Sequence, residues 1–414
     1  MKSQRSKWIV VGLLWAVAVL NYVDRQVLFA LFAPIQTNFQ LSSLELGLLS
    51  SVFLWVYGLL SPISGFLGDR FGRKRVIVPS LLVWSLVTWA TGQTRNFQEL
   101  FLVRALMGIS EACYLPAALA MISDHHPERS RSLATALHQT GIYSGLVLGG
   151  VGGGWLGQRY GWRLAFTFLG LIGVLYVVVL FFALKEADSR VAEEQASAKL
   201  QLVSSIRELF SLPGFLSMLV VFSGLSIANW TVYTWLPLYL YERFQMSLTA
   251  AGFSATFYVQ VAGVTGTLLG GRIADQWSRR TPRGRLLTQV VGLMGAAPFL
   301  ILAGSTAVPA VLVASLVAFG LGKGFYECNV MPVLSQVARP DLRSTGFGVF
   351  NFAASSTAGF TAAGAGALKS VIGLGGAMQV AGTVLFFSGI LLLRVHLSSA
   401  VPVTPGQQPL ASGK

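Results

Sequence analysis

The chain has little charge. Only 11% of its 414 residues are Asp, Glu, Lys or Arg, and 54% are hydrophobic, whereas a soluble domain carries about 25% charged residues. It is also poor in cysteine. Cys113 and Cys328 both lie in apolar runs, so neither a disulfide framework nor a metal-ligand or redox spacing is available. No strand–loop–helix setting with Lys-Ser/Thr accompanies the glycine run "GLVLGGVGGGWLG" at 145–157. It reads as close helix packing rather than a phosphate loop, which removes a nucleotide-driven pump. No nucleophile–base pairing or metal set stands out. An enzyme is therefore not expected, and neither a cofactor nor a metal is implied.

Long apolar runs are present throughout. Runs of about 20 residues recur from end to end, each able to cross a hydrocarbon core roughly 30 Å thick. The fold class that follows is an all-α membrane protein. The net charge of +14 gathers in short gaps between the runs, as the positive-inside rule requires, and does not call for nucleic acid. The start, "MKSQRSK" then "WIVVGLLWAVAVL", imitates a signal peptide. Its apolar run continues past the "AVA" site, so the expectation is an uncleaved first helix.

Twelve spans are expected, near 8–34, 44–68, 76–92, 97–123, 129–156, 161–184, 214–241, 248–275, 285–304, 308–336, 343–368 and 373–394. With both termini cytoplasmic, the outer segments hold only Arg95, Arg159, Arg163, Arg243 and Lys369. The inner segments collect most of the other basic residues, and that asymmetry sets the orientation. The expected organisation is an N-terminal six-helix bundle at 1–184, a cytoplasmic linker at 185–212, a C-terminal six-helix bundle at 213–396 and a flexible tail at 397–414. The linker pattern permits either an amphipathic surface helix or plain chain.

"GFLGDRFGRKR" (65–75) lies between spans two and three, and "GGRIADQWSRR" (270–280) between spans eight and nine. In each, a glycine precedes an aspartate by four residues (Gly65 and Asp69, Gly271 and Asp275) and an arginine follows by four (Arg73, Arg279). The same device in both halves marks a duplicated six-helix unit. With these motifs the chain resembles the major facilitator superfamily, whose inner-loop signature matches the first copy closely and the second in degenerate form. The resemblance implies a gate at the inner surface built from Gly65, Asp69, Arg70, Gly72, Arg73, Asp275 and Arg279. Asp69 is expected to latch the inner side by pairing with basic residues and a helix end.

Six ionisable side chains fall inside spans. Asp24 and Arg25 stand in "LNYVDRQVLFALF", Arg104 and Glu111 in span four, Lys323 and Glu327 in span ten. Burying a charge in hydrocarbon costs at least about 2.5–3.5 kcal/mol, so such groups are rare unless functional. Arg104 and Glu111 are two turns apart, on one helix face and roughly 10 Å from each other. Lys323 and Glu327 are one turn apart and are expected to pair. If Gly108 corresponds to Gly320 and Arg131 to Arg343, Lys323 is the second-half counterpart of Glu111. Pairing alone, to hold helices together, would need fewer charges. Three cations suit an anion, and the carboxylates suit proton carriage, because arginine cannot itself give up its proton.

"NYVDR" with "R-x-x-x-G-x-x-E-A-x-x-x-P" (Arg104, Gly108, Glu111, Ala112, Pro116) is similar to the anion:cation symporter branch of the superfamily. That resemblance implies proton coupling through Asp24, Arg104 and Glu111, and anion binding through Arg25. Spinster-like lysolipid carriers share parts of both motifs. Sugar-acid members often have glutamine where Ile142 aligns and asparagine where Ser355 aligns. Here Gln139, His138 and Asn351 stand nearby instead, which leaves a smaller or partly apolar carboxylate open.

The expectation is thus a monomeric secondary transporter in a bacterial cytoplasmic membrane, a proton-coupled symporter of a small organic anion. Arg25, Arg104, Lys323, Tyr326, Asn329 and Asn351 would bind the substrate, and Asp24, Glu111 and Glu327 would couple protons. A Spinster-like lipid-anion carrier is the alternative within transport, and a non-transporting sensor on the same fold is the alternative outside it. His125 and His126 read as solvated loop residues, and His138 as a residue near a span end.

Overall fold

The computed structural model describes residues 2–126, 128–185, 202–339 and 342–397, without the side chains of 2–6, 62–70, 128, 129, 131, 132, 202, 203, 344, 396 and 397. Every regular element among them is helical. They are α1 (Lys2–Ala30), α2 (Phe32–Phe39), α3 (Ser43–Phe71), α4 (Arg73–Thr91), α5 (Phe97–Ala112), α6 (Tyr114–His125), α7 (Glu128–Tyr160) and α8 (Trp162–Ala183). Then follow α9 (Leu202–Ser211), α10 (Phe215–Phe244), α11 (Leu248–Ser278), α12 (Gly284–Ser305), α13 (Pro309–Glu327), α14 (Val330–Val337) and α15 (Arg343–Leu397). Among the described residues, eight stretches are long and apolar enough to cross a membrane. One of these, 345–395, is divided by Gly373, whose φ of 67° only glycine adopts freely. With α4, α7 and α11 the twelve expected spans are all present among the described residues.

Local chemistry explains where the helices start and break. Ser42 accepts from the Glu45 amide while Glu45 accepts from the Ser42 amide, a capping box that opens α3. Asn96 caps α5 by accepting from the Glu99 amide. Span four is interrupted at Cys113, between α5 and α6, and span ten at Cys328 and Asn329, between α13 and α14. Pro116 and Pro332 supply the cause, since each removes the hydrogen bond to the carbonyl four residues earlier. On α8, Leu171, Leu175, Val178 and Phe182 are exposed at helical spacing, the face suited to lipid.

The chain forms two compact units. The first comprises Met1–Lys199, Trp230–Phe257 and Ser355–Leu374; the second comprises Leu200–Asn229, Tyr258–Ala354 and Gly375–Lys414. In the first unit, the start of α11 meets α7 without intervening side chains: a β-carbon on Gly150 would come within 2.6 Å of the Gly252 carbonyl. Ser51 on α3 donates to the Gly359 carbonyl at 2.6 Å, and Trp55 donates to the Ser356 carbonyl at 3.2 Å. These contacts tie the start of span eight and the later part of span eleven into the first unit. In the second unit, Leu209 of α9 packs against Gly346 near Leu334, and Glu208 pairs with Arg339 at 3.1 Å. Part of the linker is therefore an amphipathic helix. Residues 186–201 of it lie outside the described residues.

The duplication is visible within each unit. A β-carbon on Gly108 would meet Phe53 O at 2.8 Å, Val56 Cβ at 3.1 Å and Tyr57 N at 3.3 Å. On Gly320 it would meet Val259 O at 2.7 Å, Ala262 Cβ at 2.9 Å and Gly263 N at 3.3 Å. The same three backbone positions of the facing helix recur, so Gly108 and Gly320 correspond. Spans two and four pack as spans eight and ten do, with small residues letting backbones approach.

Candidate functional site

On α1, residues 21, 24, 25 and 28 share one face by helical spacing, and Asn21, Asp24 and Arg25 are all buried. Opposite them α5 presents Arg104 and Glu111, both 0% exposed. Arg25 Nε donates to Glu111 Oε2 at 2.6 Å, a short charge-assisted bond. The rest of the Arg25 guanidinium is enclosed by aromatic rings, with its carbon 4.5 Å from the Tyr57 centroid and 4.8 Å from those of Tyr22 and Phe53. Arg104 lies 4.8 Å from the same Phe53 ring.

Arg104 is poorly satisfied. Its Nε reaches the Leu49 carbonyl at 3.4 Å and its Nη1 the Met107 sulfur at 2.8 Å, a weak acceptor. Its Nη2 is buried with no partner, and so is Glu111 Oε1. Asn21 lies beside Glu111. Asp24 lies beside the Thr88 hydroxyl of α4, within electrostatic reach of Glu111, Arg104 and Arg25. Among the described residues no cation is within ion-pair distance of Asp24. The first unit thus buries two acids and two bases together, of which Arg25 and Glu111 are closed on each other.

In the second unit Lys323 is 2% exposed, with its Nζ 3.6 Å from Glu327 Oε2, the pairing expected from the sequence. Asn229 on α10 donates to Glu327 Oε1 at 3.3 Å. Tyr326 is buried. Asn329 sits at the break of span ten and spends its amide nitrogen on the Phe325 carbonyl at 3.0 Å. Asn351 is exposed. Arg25 and Arg104 belong to the first unit, while Lys323, Tyr326, Asn329 and Asn351 belong to the second.

For the repeated motif, Gly65, Asp69 and Arg70 lie at the end of α3, and their side chains are outside the described residues. Gly72 joins α3 to α4 at φ 92°, a conformation that favours glycine. Arg73 pairs with Asp124 at 3.0 Å, at the end of α6. In the second copy Asp275 pairs with Arg285 at 2.7 Å, and Arg279 is exposed. Close approach there falls to Gly270, packed on Phe325, while Gly271 has open space around it.

Sequence reasoning missed several of these partners. Asp124, Asn21, Thr88 and the ring cage lie in apolar or loop stretches whose pattern carries no sign of contact. His126 is not solvated but 2% exposed. Its Nε2 faces the Lys7 carbonyl at 3.3 Å, its Nδ1 faces Ser130 Oγ at 3.2 Å, and its ring lies 4.7 Å from that of Trp8. His138 is fully buried, 2.8 Å from Tyr114 Oη, which also donates to the Leu14 carbonyl at 2.6 Å.

A helical membrane protein that turns acids and bases inward across its spans belongs, by class, with the solute transporters. The chain belongs to the Major Facilitator Superfamily, whose family model matches residues 14–363. It is 28% identical over 384 residues to the probable galactarate/D-glucarate transporter GarP of Escherichia coli K12, covering 84% of this chain and 85% of that protein. It is also 28% identical over 370 residues to protein spinster homolog 1 of Xenopus tropicalis, covering 83% and 69%. Among solved structures, a bacterial homolog of the human lysosomal transporter Spinster, in an inward-facing and occupied conformation, superposes with a TM-score of 0.81. That match has 20% identity and covers 94% of this chain and 96% of that one. At this identity the likeness establishes the fold.

Proposed function

We propose that the protein is a proton-coupled symporter of a small organic anion, working by alternating access in a bacterial cytoplasmic membrane with both termini cytoplasmic. The observation that carries this reading is the half-closed charge cluster: Glu111 takes Arg25, while Arg104 keeps a buried amino group without an acceptor. A carboxylate supplies the acceptor that Arg104 lacks. A proton on Glu111 frees Arg25 for the same anion. Proton and anion binding are then linked, and linkage is reciprocal. Asp24, Glu111 and Glu327 act on the proton side. Arg25, Arg104 and Lys323 act on the anion side, with Tyr326, Asn329 and Asn351 as further contacts. The motif residues from Gly65 to Arg73, with Asp275 and Arg279, gate the cytoplasmic end. Similarity to galactarate and glucarate transporters supports an organic acid as solute.

Transport in proteoliposomes, with and without an imposed pH gradient, tests the reading. Glu111→Gln imitates the protonated acid, so it should keep binding and exchange but lose pH-driven accumulation. Arg104→Ala should lose binding itself. Undiminished accumulation by Glu111→Gln would remove proton coupling through Glu111.

A lipid-anion carrier is the second reading. The aromatic cage around Arg25 and the similarity to Spinster proteins and a sphingosine-1-phosphate transporter favour it. Competition by a lysolipid, with no effect of any short carboxylate, would select it over the first.

A further inference from the structure

One face of α4 carries Trp84 and Thr88, about one turn apart and both 0% exposed. The Thr88 hydroxyl lies beside Asp24. Trp84 packs edge-on to Tyr114 of α6, with ring centroids 5.7 Å apart. Tyr114 in turn bonds the Leu14 carbonyl of α1 at 2.6 Å and meets His138 of α7 at 2.8 Å. These buried polar side chains make a file inside the first unit, from Asp24 toward the N-terminal ends of α1 and α7. From Asp24 to the level of Leu14 on α1 the file is about 15 Å long.

Chemistry fixes the hydrogens at its far end. The Leu14 carbonyl only accepts, so the Tyr114 hydroxyl spends its single hydrogen there. His138 Nε2 must then donate to Tyr114 Oη, which leaves Nδ1 as a bare lone pair. That Nδ1 is buried without a partner, and so is the Trp84 Nε1–H. One is an acceptor, the other a donor, and both rings pack on Tyr114. Each such group costs about 1–3 kcal/mol, a cost that phenylalanine and leucine in their places would avoid. Water answers both, because it accepts from Trp84 and donates to His138. The titratable groups around His138 among the described residues are tyrosines. Tyr114 lies against it, with Tyr22 of α1 and Tyr176 of α8 within electrostatic reach of Tyr114. An imidazolium there has no counter-ion, so a proton passes His138 and does not stay. Asp24, faced by Glu111, Arg104 and Arg25, is neutral once protonated and can hold it.

We propose that spans one, three, four and five of the first unit enclose a proton route to Asp24, carried by internal water on Trp84 and Thr88 and by His138. The inference rests on the proton-coupled reading and adds a path for the proton that no solute occupies. His138 takes a proton on Nδ1 from a hydronium and returns it from Nδ1 to a water, while its Nε2–H stays on Tyr114. Thr88 relays between that water and the Asp24 carboxylate.

Two measurements on the full-length protein in lipid vesicles test this without any solute. Solid-state NMR of the 15N-histidine protein reads the ring nitrogens, and the His138 signals are those lost in His138→Gln. The expected spectrum has hydrogen on Nε2, none on Nδ1, and transfer of magnetisation from water to the ring. A His138 that receives none is dry, and the route is overturned. Infrared spectroscopy after a pH jump then follows the carboxyl band that is missing in Asp24→Asn. Trp84→Phe and His138→Leu should each slow that band by about tenfold or more, the rate equivalent of one lost hydrogen bond in the route, and leave its final amplitude unchanged. An unchanged rate in both variants, with a raised Tm for Trp84→Phe, would mean that the indole donor is merely unpaired; the route falls and Asp24 keeps its role. If no Asp24 band responds to pH in the native chain, proton coupling through Asp24 falls and the route falls with it.

Discussion

Glu111 and Asp24 are both buried carboxyl groups, and their surroundings differ. Glu111 has a guanidinium at 2.6 Å, whereas Asp24 has the hydroxyl of Thr88 beside it. Breaking a buried ion pair by removing one partner costs about 3–5 kcal/mol, mostly because a charge is left stranded. Arg25→Leu should therefore destabilise the protein by about that much, and Arg25→Leu combined with Glu111→Leu should recover most of the loss. Thermal unfolding of the two single variants and the double variant reads the coupling, and additive losses would show that the pair is not a unit. The sequence announced these charges, because Asp, Glu and Arg inside apolar runs stand out. It did not announce which acid meets which base. Arg104 and Glu111 share a helix face, yet Glu111 pairs across to α1, since the geometry of two packed helices selects the partner.

At the scale of elements, two connections hold the motif end of the first unit. Arg73 at the start of α4 pairs with Asp124 at the end of α6, both partly exposed. Surface pairs of this kind contribute about 0–1 kcal/mol, so the role open to this one is to bias a conformation. Asp124→Asn should slow transport while leaving anion affinity and Tm nearly unchanged; a large loss of affinity would contradict a gating role. The second connection is His126, which burial holds below the usual histidine range, against a smaller opposing effect of its bond to the Lys7 carbonyl. The Lys7 and His125 charges also face it, and Ser130 bonds its Nδ1. An imidazole more acidic when folded than when unfolded stabilises above its ordinary value of about 6.5, and that stability is lost as pH falls below it. Unfolding at pH 7.5 and at pH 5.5 should show a Tm loss on acidification that His126→Gln reduces. The sequence pattern runs spans four and ten through their prolines as continuous helices, and the burial of His126 depends on Trp8, far away along the chain.

For the whole molecule, the proposed orientation rests on the basic asymmetry of the loops, and it is testable without knowing the solute. Arg207 is exposed on α9. In intact cells Arg207→Cys should resist an impermeant thiol reagent and react once the membrane is opened. Labelling from outside would invert the proposed topology. The correspondence of Gly108 with Gly320, assumed from the sequence, is matched by the surroundings of the two glycines.

Sequence by itself determined the membrane class, the twelve spans, the duplication and the family, because each follows from local patterns: run length, charge placement and a repeated spacing. It also singled out the six charged residues in spans, whose cost in hydrocarbon makes them conspicuous. Only the tertiary structure decided that Glu111 closes on Arg25 inside a cage of Tyr22, Phe53 and Tyr57, that Arg104 keeps an unanswered donor, and that Gln260 keeps an unpaired donor and an unpaired acceptor. A hydrogen bond is made or missed by distances between helices remote in sequence, and no spacing along one helix encodes them.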